Sequence, residues 1–445
     1  MIETGTSIIN RCGDNWAEVK AAYRLFENDR LKLDDMTECI VDDGVKHSAG
    51  LSHVLCIQDT SEFCYDSNKG RFSEEDADLG YGTNQHEEYC VYAHPCLMID
   101  AEHQMPIGFS SISMFNHDRK MARKKKCQRR NLPLEEKESY RWAKSAIETS
   151  GNLPAEVRKT MIGDRENDVY AVMCKTLESG CDFLIRSFSN RSTGDEMVPI
   201  REHMISLPVC KTYELRLHGH KGRKSRLSRM ELRYDSITLR KPSICIDDVP
   251  DTIDCYCVHV KEHESTVPEG EEPIEWRLLT SHVVENDTQA MQCVEWYKCR
   301  WYIEELFRIC KSDGFGVESS QLGSGIALKK LILLTLYASL RCMTLKRSYE
   351  EADESIKANM MFSDWELSVL QTEMKRLGGQ SPKSKGGINP FKERSLPWAA
   401  WIIARLGKWN GYQKSSGVPG YITIKRGLDV FQQHCDIVWF MQNDE

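Results

Sequence analysis

The sequence predicts an α/β protein in which a β-rich insertion interrupts the core and helical regions flank it at both ends. Three observations support this fold class. Short buried apolar runs follow one another in the first half, polar and apolar residues alternate in the middle of the chain, and apolar residues recur at helical spacing near both ends. With 40% hydrophobic and 28% charged residues, the 445-residue chain is typical of globular proteins with several domains.

The first half has the element order of a ribonuclease-H-like core. A helical stretch, "NWAEVKAAYRLFEND", precedes three strand-like runs, "HVLCIQDT", "YCVYAHPCLMI" and "IGFSSISMF"; the helix "LEEKESYRWAKSAIE" and a fourth strand, "KTMIGD", follow. Asp59 closes the first strand and Asp164 the fourth. The first and fourth strands of that fold lie side by side, so we expect Asp59 and Asp164 to meet.

The second half alternates a helical pattern, "DVYAVMCKTLES", with the strand "CDFLIRS" before the β-rich stretch Pro199–His282. After Gln289 the chain reads as helical, with a long amphipathic segment at Ala327–Tyr349 and a C-terminal helix near Leu428–Phe440. The expected division is a helical N-terminal region at 1–47, the two parts of the core at 48–198 and 286–375, the β-rich insertion at 199–285, and a helical C-terminal region at 376–445.

Composition limits the function classes. The formal net charge of -8 does not indicate nucleic-acid binding by the whole surface, so a DNA enzyme would have to concentrate its cations in the basic runs at Arg119–Arg130 and Lys211–Arg229. The 18 cysteines contain no C-x-x-C pair and read as small core residues in a reducing compartment; Cys255 and Cys257 suit one face of a strand. Without a membrane-length apolar run, we expect a cytoplasmic or nucleoid-associated protein.

The segment "EWYKCRWYIEELFRICK" carries a chemical signature. On one continuous helix Tyr297, Arg300, Glu304 and Lys311 would lie within about 60° of one another. Such a stripe offers a carboxylate for a metal ion, with two cations and a phenol for phosphates. Phosphodiester chemistry uses two divalent ions about 4 Å apart, which acids from distant segments can hold. The plainer alternatives are a turn residue for each aspartate and an ordinary ion pair for Arg300 with Glu304.

The spacing Tyr297-x2-Arg300-x3-Glu304-x6-Lys311 matches the Y-R-E-K signature of the IS4 family of transposases, the group that contains the Tn5 transposase. "QDTSEF" and "GDREND" resemble the first and second aspartate segments of that family. "EKESYRW", "AAYRLFEND" and "WAAWIIARLG" also resemble family segments, so the similarity spans nearly the whole chain. The family has a ribonuclease-H-like fold with a β-rich insertion before the glutamate.

The resemblance implies a site and an activity. Asp59, Asp164 and Glu304 would be catalytic metal ligands for two Mg²⁺ ions, with Mn²⁺ as a substitute. The residues that would contact DNA are Tyr297, Arg300, Lys311, Trp276, Arg186, Lys124, Lys125 and Lys126. Among these the family uses the tryptophan to stack a flipped base. The implied partners are transposon-end DNA, target DNA and a second copy in a paired-end homodimer, with no membrane.

Two departures and two alternatives stay open. The N-terminal region looks shorter than in family members; if Met1 is the native start, we expect weakened end recognition, or a truncated or regulatory form. Ser319 and Ser320 stand where the family often has basic residues. The alternatives to a cut-and-paste transposase are a non-catalytic DNA-binding regulator and a ribonuclease-H-like nuclease without strand transfer. The intact acids disfavour the regulator, and Trp276 with the β insertion disfavours the simple nuclease.

Overall fold

The computed structural model describes residues 16–65, 70–73, 76–82, 89–116, 132–194, 196–217, 225–312, 314–377 and 388–443. The helices in these ranges are α1 (Trp16–Phe26), α2 (Leu33–Ser48), α3 (Tyr140–Asn152), α4 (Tyr170–Glu178), α5 (Ile200–Ser206), α6 (Asp287–Lys298), α7 (Trp301–Lys311), α8 (Gly325–Glu351), α9 (Asp364–Leu377), α10 (Leu396–Leu406), α11 (Gln413–Ser416) and α12 (Tyr421–Asn443). The strands are β1 (His53–Gln58), β2 (Ser61–Cys64), β3 (Gly80–Tyr81), β4 (Tyr89–Asp100), β5 (Pro106–Phe115), β6 (Arg158–Gly163), β7 (Asp182–Arg186), β8 (Ser192–Thr193), β9 (Val198–Pro199), β10 (Lys211–Leu217), β11 (Arg226–Arg240), β12 (Thr252–Glu262) and β13 (Glu275–Thr280).

Strand β1 lies at the centre of the first part of the sheet. It pairs antiparallel with β4 and parallel with β6, which is the strand that ends before Asp164. In the β1–β6 register Ile57 stands opposite Ile162. Asp59 and Asp164 each follow two residues later, so both acids leave the same edge of the sheet. The predicted adjacency of these two strands is confirmed.

The β-rich stretch continues the core sheet. Strand β13 pairs antiparallel with β7, with Leu279 opposite Ile185, and β12 and β11 extend the sheet beyond it. Among the described residues all thirteen strands belong to this one sheet. On β12 Cys255 and Cys257 are both buried in the same apolar cluster, as their alternate spacing predicts. The consequence is that β7, which ends at Arg186, joins the core to the insertion.

Both faces of the sheet are covered. The β1 residues Val54 and Cys56 share an apolar cluster with Ala146 of α3, while Leu55 and Ile57 belong to the large cluster formed with the C-terminal helices. This alternation is the period-two pattern of a strand that is buried on both faces. Packing on both faces therefore fixes the end of β1, and Asp59 follows directly after that end.

The long helix α8 is the central helix of the C-terminal half. The prediction of an amphipathic helix at Ala327–Tyr349 was right about the helix and wrong about its environment, because 19 of the 27 residues of α8 are buried. Buried Lys330 is accommodated because its ammonium group donates to the carbonyl oxygens of Phe26 and Asn28, at 3.1 and 3.0 Å. Among the helices of the described ranges, none has the length and apolar character that a membrane span requires.

The segment expected to form one helix from Tyr297 to Lys311 is divided. Helix α6 ends at Lys298 and α7 begins at Trp301, so the expectation of a single helix was wrong. The two residues between them keep a right-handed conformation, and the Arg300 N–H donates to the Tyr297 carbonyl oxygen three residues back, at 3.0 Å. This junction is tighter than an α-helix. The angles calculated for one continuous helix from Tyr297 to Lys311 therefore do not apply across this junction.

Candidate active site

Asp59 and Asp164 lie where two neighbouring parallel strands end. Asp59 follows β1, and its carboxylate accepts the Thr60 N–H at 2.7 Å. Asp164 follows β6 and caps a short 3-10 turn, accepting the Glu166 N–H at 2.8 Å. Each aspartate is thus also the turn residue that the plainer interpretation expects. The capping bonds fix the direction of both carboxylates and leave oxygen atoms for a further ligand.

Helix α7 brings the third acid to the same place. The guanidinium group of Arg300 donates to the Glu304 carboxylate one helical turn later, and its other terminal nitrogen lies 3.6 Å from an Asp59 carboxylate oxygen. Arg300 is almost buried, with 11% of its side chain exposed, whereas Glu304 is 38% exposed. Arg300 therefore links an acid at the end of β1 to an acid on α7.

The three acids interact electrostatically, because Asp164 and Glu304 both affect the pKa of Asp59. Burial is the largest cause that raises the pKa of Asp59 to about 7, and the nearby Asp164 carboxylate is the second. Glu304 raises it further, while the Thr60 N–H and Arg300 act in the opposite direction. Burial therefore acts first against the charged form of Asp59, and the neighbouring carboxylates of Asp164 and Glu304 add to this effect. The site is electrostatically suited to an added cation.

The donor set fits a hard divalent cation. Carboxylate oxygens are the ligands that Mg²⁺ prefers, and few are needed because water and phosphate complete the coordination. The three acids are not closed around one point: in the parts of the chain that the structure describes, three such ligand atoms within 4.8 Å of one another occur only at Glu62, Cys64 and Cys90. Asp59, Asp164 and Glu304 are instead related through their mutual electrostatic effect and through Arg300, which lies 3.6 Å from Asp59 and bonds to Glu304.

Three of the predicted DNA-contacting residues lie beside these acids. Buried Tyr297 interacts electrostatically with Arg300, Arg186 and Asp164, and its ring lies edge-on to Trp276 with the centroids 5.8 Å apart. Arg186, at the end of β7, donates to the Glu275 carbonyl oxygen at 3.0 Å, and burial lowers the pKa of its guanidinium group. Trp276 is partly buried on β13. The structure therefore brings Tyr297, Arg186 and Trp276 together along the β7–β13 edge of the site.

Lys311 contacts strand β2 and Glu318. Its ammonium group donates to the backbone carbonyl oxygen of Glu62, lies 3.6 Å from the Glu318 carboxylate and covers the ring of Phe63. Strand β2, to which this lysine bonds, starts two residues after Asp59. In the described structure Lys311 holds β2 against α7.

The structure describes only part of the two basic runs at Arg119–Arg130 and Lys211–Arg229. Lys124, Lys125 and Lys126, and the whole run 119–130, lie outside the described residues. In the second run Arg226 is paired with the carboxylates of Glu262 and Glu271, at 2.9 and 2.6 Å. Arg226 is thus engaged within the insertion, and the phosphate contacts expected from this run stay a prediction.

A polar network that sequence reasoning missed supports the two aspartates. Arg141 on α3 donates to the Thr60 hydroxyl oxygen at 2.9 Å and to the Glu166 carboxylate at 2.9 Å. The same hydroxyl contacts the Nδ1 atom of His94 at 2.9 Å. Burial, followed by the charge of Arg141, lowers the pKa of His94 to about 3, so the imidazole is neutral. Because Nδ1 accepts from Thr60, Nε2 carries the proton and donates to Gln58 at 3.2 Å.

This network joins Thr60, which follows Asp59, to Glu166, which lies two positions after Asp164. Arg141 lies in the segment "EKESYRW", which resembles a segment of the family. That resemblance could have marked Arg141 as a candidate site residue. His94 had no such signal, because it lies within a run that reads only as a buried strand.

Comparison with known families identifies a domain that covers this part of the chain. A family model described as "Transposase DDE domain" matches residues 57–341, which is more than half of the chain and spans all three acids. The protein defined by this core and site is a DNA-acting transposase. The chain belongs to the DDE transposase family, whose members use divalent metal ions.

Proposed function

We propose that the protein is a cut-and-paste transposase of the IS4 type, similar to the Tn5 transposase, with Asp59, Asp164 and Glu304 as its catalytic triad. The observation that carries this proposal is the position of Arg300, which bonds to Glu304 and lies 3.6 Å from Asp59. Asp164 contributes to the same field as the second cause of the raised Asp59 pKa. Acids from three distant segments thus share one small region, which an accidental set of turn residues would not do.

The three carboxylates would hold two Mg²⁺ ions, or Mn²⁺ in their place. The ions supply activation of the attacking oxygen and stabilisation of the leaving oxygen. Around them the protein provides positive groups for phosphate, namely Arg300 and Arg186, and the phenol of Tyr297. In the absence of metal Arg300 neutralises part of the charge of Asp59 and Glu304.

The DNA steps require no reagent beyond water and the ions. Water hydrolyses one phosphodiester at the transposon end and releases a 3′-hydroxyl. That hydroxyl attacks the opposite strand, forming one phosphodiester while breaking another, which gives a hairpin. A second hydrolysis opens the hairpin, and the 3′-hydroxyl then attacks target DNA. Trp276 would stack the base that the tight hairpin forces out of the helix.

Pairing of two ends requires two protein copies, and the C-terminal helix offers a suitable surface. The last turns of α12 expose four apolar side chains, Ile437, Trp439, Phe440 and Met441, each more than half exposed, and the first, third and fourth of these share one face of the helix. Exposed apolar groups that are close in sequence are typical of interaction surfaces. The homodimer, the binding of terminal inverted repeats and the nucleoid-associated, cytoplasmic location belong to this proposal.

The test is Mg²⁺-dependent nicking of labelled DNA that carries the short inverted repeats flanking the coding region. Glu304→Gln should lose nicking by more than about 100-fold while end binding is kept, because loss of a direct ligand costs more than loss of an outer partner. Glu305→Gln is the matched control, since Glu305 is adjacent on α7 but accepts from the Tyr421 hydroxyl at 3.1 Å. Nicking that survives Glu304→Gln would exclude this triad. Binding without nicking by the wild-type chain would instead support the regulator.

A further inference from the structure

A second cluster of metal-ligating side chains lies on the hairpin that follows Asp59. Cys64 on β2 stands directly opposite Cys90 on β4, and their sulfur atoms are 2.8 Å apart. Glu62 lies two residues before Cys64 and so shares its face of the strand. A carboxylate oxygen and the two sulfurs all lie within 4.8 Å of one another.

Two neighbouring residues bear on the geometry of this cluster, Gly82 and Tyr92. A β-carbon on Gly82 would lie 2.8 Å from a Glu62 carboxylate oxygen and 3.0 Å from the Cys90 sulfur, so a larger residue there would crowd both ligands. The Tyr92 hydroxyl donates to the Glu62 carboxylate at 2.5 Å and orients it. Such outer hydrogen bonds are typical partners of ligating carboxylates.

We propose that Glu62, Cys64 and Cys90 form a site for a thiophilic divalent cation of the Zn²⁺ class. Two thiolates and one carboxylate provide three of the four positions of a tetrahedral site, and water can take the fourth. Sulfur ligands select Zn²⁺ over Mg²⁺, so the site differs in chemistry from the three-carboxylate site. With Zn–S bonds of about 2.3 Å the sulfurs would have to separate to roughly 3.8 Å, and the partly buried Cys64, rather than the buried Cys90, is the side chain expected to move.

The third ligand favours a metal ion over a disulfide. A disulfide would use the two sulfurs alone and leave no role for the oriented Glu62 carboxylate. The sixteen cysteines among the described residues are all free thiols, including the fully buried neighbours Cys56 and Cys96, which have no carboxylate ligand beside them. A soft metal at this hairpin would tie β2 to β4.

The site would act on the same strand that Lys311 holds. The Glu62 carbonyl oxygen accepts from Lys311, and the Cys64 N–H donates to the Glu318 carboxylate at 3.0 Å. Metal binding is therefore expected to stabilise the β2–β4 hairpin beside α7. The inference does not depend on the proposed transposition chemistry, because it concerns residues outside the triad.

The experiment is a Co²⁺ titration of the full chain with a non-thiol reductant, followed by competition with Zn²⁺. The near-ultraviolet thiolate-to-cobalt charge-transfer band reports sulfur ligands only, so Co²⁺ bound by the triad carboxylates does not contribute to it. We expect one sulfur-bound Co²⁺ per chain, displaced by Zn²⁺. The band should be lost in Cys64→Ser and Cys90→Ser, weakened in Glu62→Gln, and unchanged in Cys39→Ser, which removes an exposed thiol on α2.

Circular dichroism of each variant separates loss of the site from loss of the fold, and Glu62→Gln alters the site without touching a sulfur. A wild-type chain with no charge-transfer band would overturn the proposal, as would an equal band in Cys64→Ser. A reduced chain that gives no band, yet forms a Cys64–Cys90 disulfide with glutathione disulfide as the oxidant, would also overturn it and identify a redox pair instead.

Discussion

Arg300 lies 3.6 Å from the Asp59 carboxylate while it donates to Glu304, so one guanidinium group joins the end of β1 to helix α7. Each exposed ion pair of this kind contributes little, but Arg300 is nearly buried and its two partners are acids of the candidate site. The arrangement explains how the site tolerates its own negative charge before a divalent cation binds. Because this guanidinium group pairs with Asp59 and Glu304 while Asp164 adds a third carboxylate, we expect part of the negative charge of the three acids to remain unbalanced.

Asp59→Asn should stabilise the metal-free protein at alkaline pH. Burial and Asp164 raise the folded pKa of Asp59 to about 7 from an ordinary value near 3.8. A raised carboxyl pKa means that the folded state holds the proton longer, so stability falls as pH rises from about 4 to about 7 and the full penalty is present above that range. We expect the variant to gain about 1 to 3 kcal/mol in the free energy of unfolding at pH 8, with little gain at pH 4.

Urea unfolding with a chelator at both pH values measures this difference. Added Mg²⁺ should stabilise the wild type more than the variant, because only the wild type retains all three carboxylates. A variant that is no more stable than the wild type at pH 8 would contradict the electrostatic description of Asp59.

Arg141→Gln should weaken metal use without removing a metal ligand. The substitution breaks the bonds from Arg141 to Thr60 and Glu166, which lie next to Asp59 and Asp164. Loss of such an outer partner costs about 10- to 100-fold in metal affinity or activity. The readout is the Mg²⁺ concentration that gives half-maximal nicking, which should rise, with partial rescue by Arg141→Lys.

The matched control for Arg141 is Lys144→Gln on the same helix, whose side chain is half exposed and pairs with Glu148. If Arg141→Gln lowered activity at every Mg²⁺ concentration alike, with no change in the half-maximal concentration, the positioning role would be wrong.

Trp276→Ala should impair hairpin formation more than the first nick. The indole ring packs edge-on against Tyr297 beside the acids, where an unstacked base would need an aromatic face. Loss of base stacking costs about 1–3 kcal/mol. Trp276→Phe should retain most of the hairpin activity. Gel analysis of nicked and hairpin products over time separates the steps, and equal losses in both would argue against base stacking.

The sequence predicted the parts of the site that depend on strand order and motif spacing. Asp59 and Asp164 close strands whose apolar runs are easily recognised, and the order of elements implied that β1 and β6 are neighbours. The Arg300–Glu304 pair is local, since Arg300 directly precedes α7 and lies four residues before Glu304, and so it was predictable from spacing alone. The matched family supports the transposase class that the motif indicated.

What the sequence left hidden depends on tertiary contacts. The junction between α6 and α7 has neither glycine nor proline to mark it, so periodicity extended one helix across Cys299 and Arg300. Lys311 sat on the expected stripe, yet its partner is a backbone carbonyl on β2, which no side-chain pattern reveals. His94 and Arg141 meet at Thr60 from positions 34 and 81 residues away. The pairing of β7 with β13 is equally non-local.

The most direct test of the central claim is the binding of Mn²⁺, measured as loss of the free-ion signal in electron paramagnetic resonance. Mn²⁺ prefers oxygen ligands, so it reports on the carboxylates and not on the thiol cluster. The account predicts that Asp59→Asn, Asp164→Asn and Glu304→Gln each weaken binding, while Glu305→Gln binds like the wild type. Wild-type binding by all three variants would contradict the assignment of these acids as one metal site.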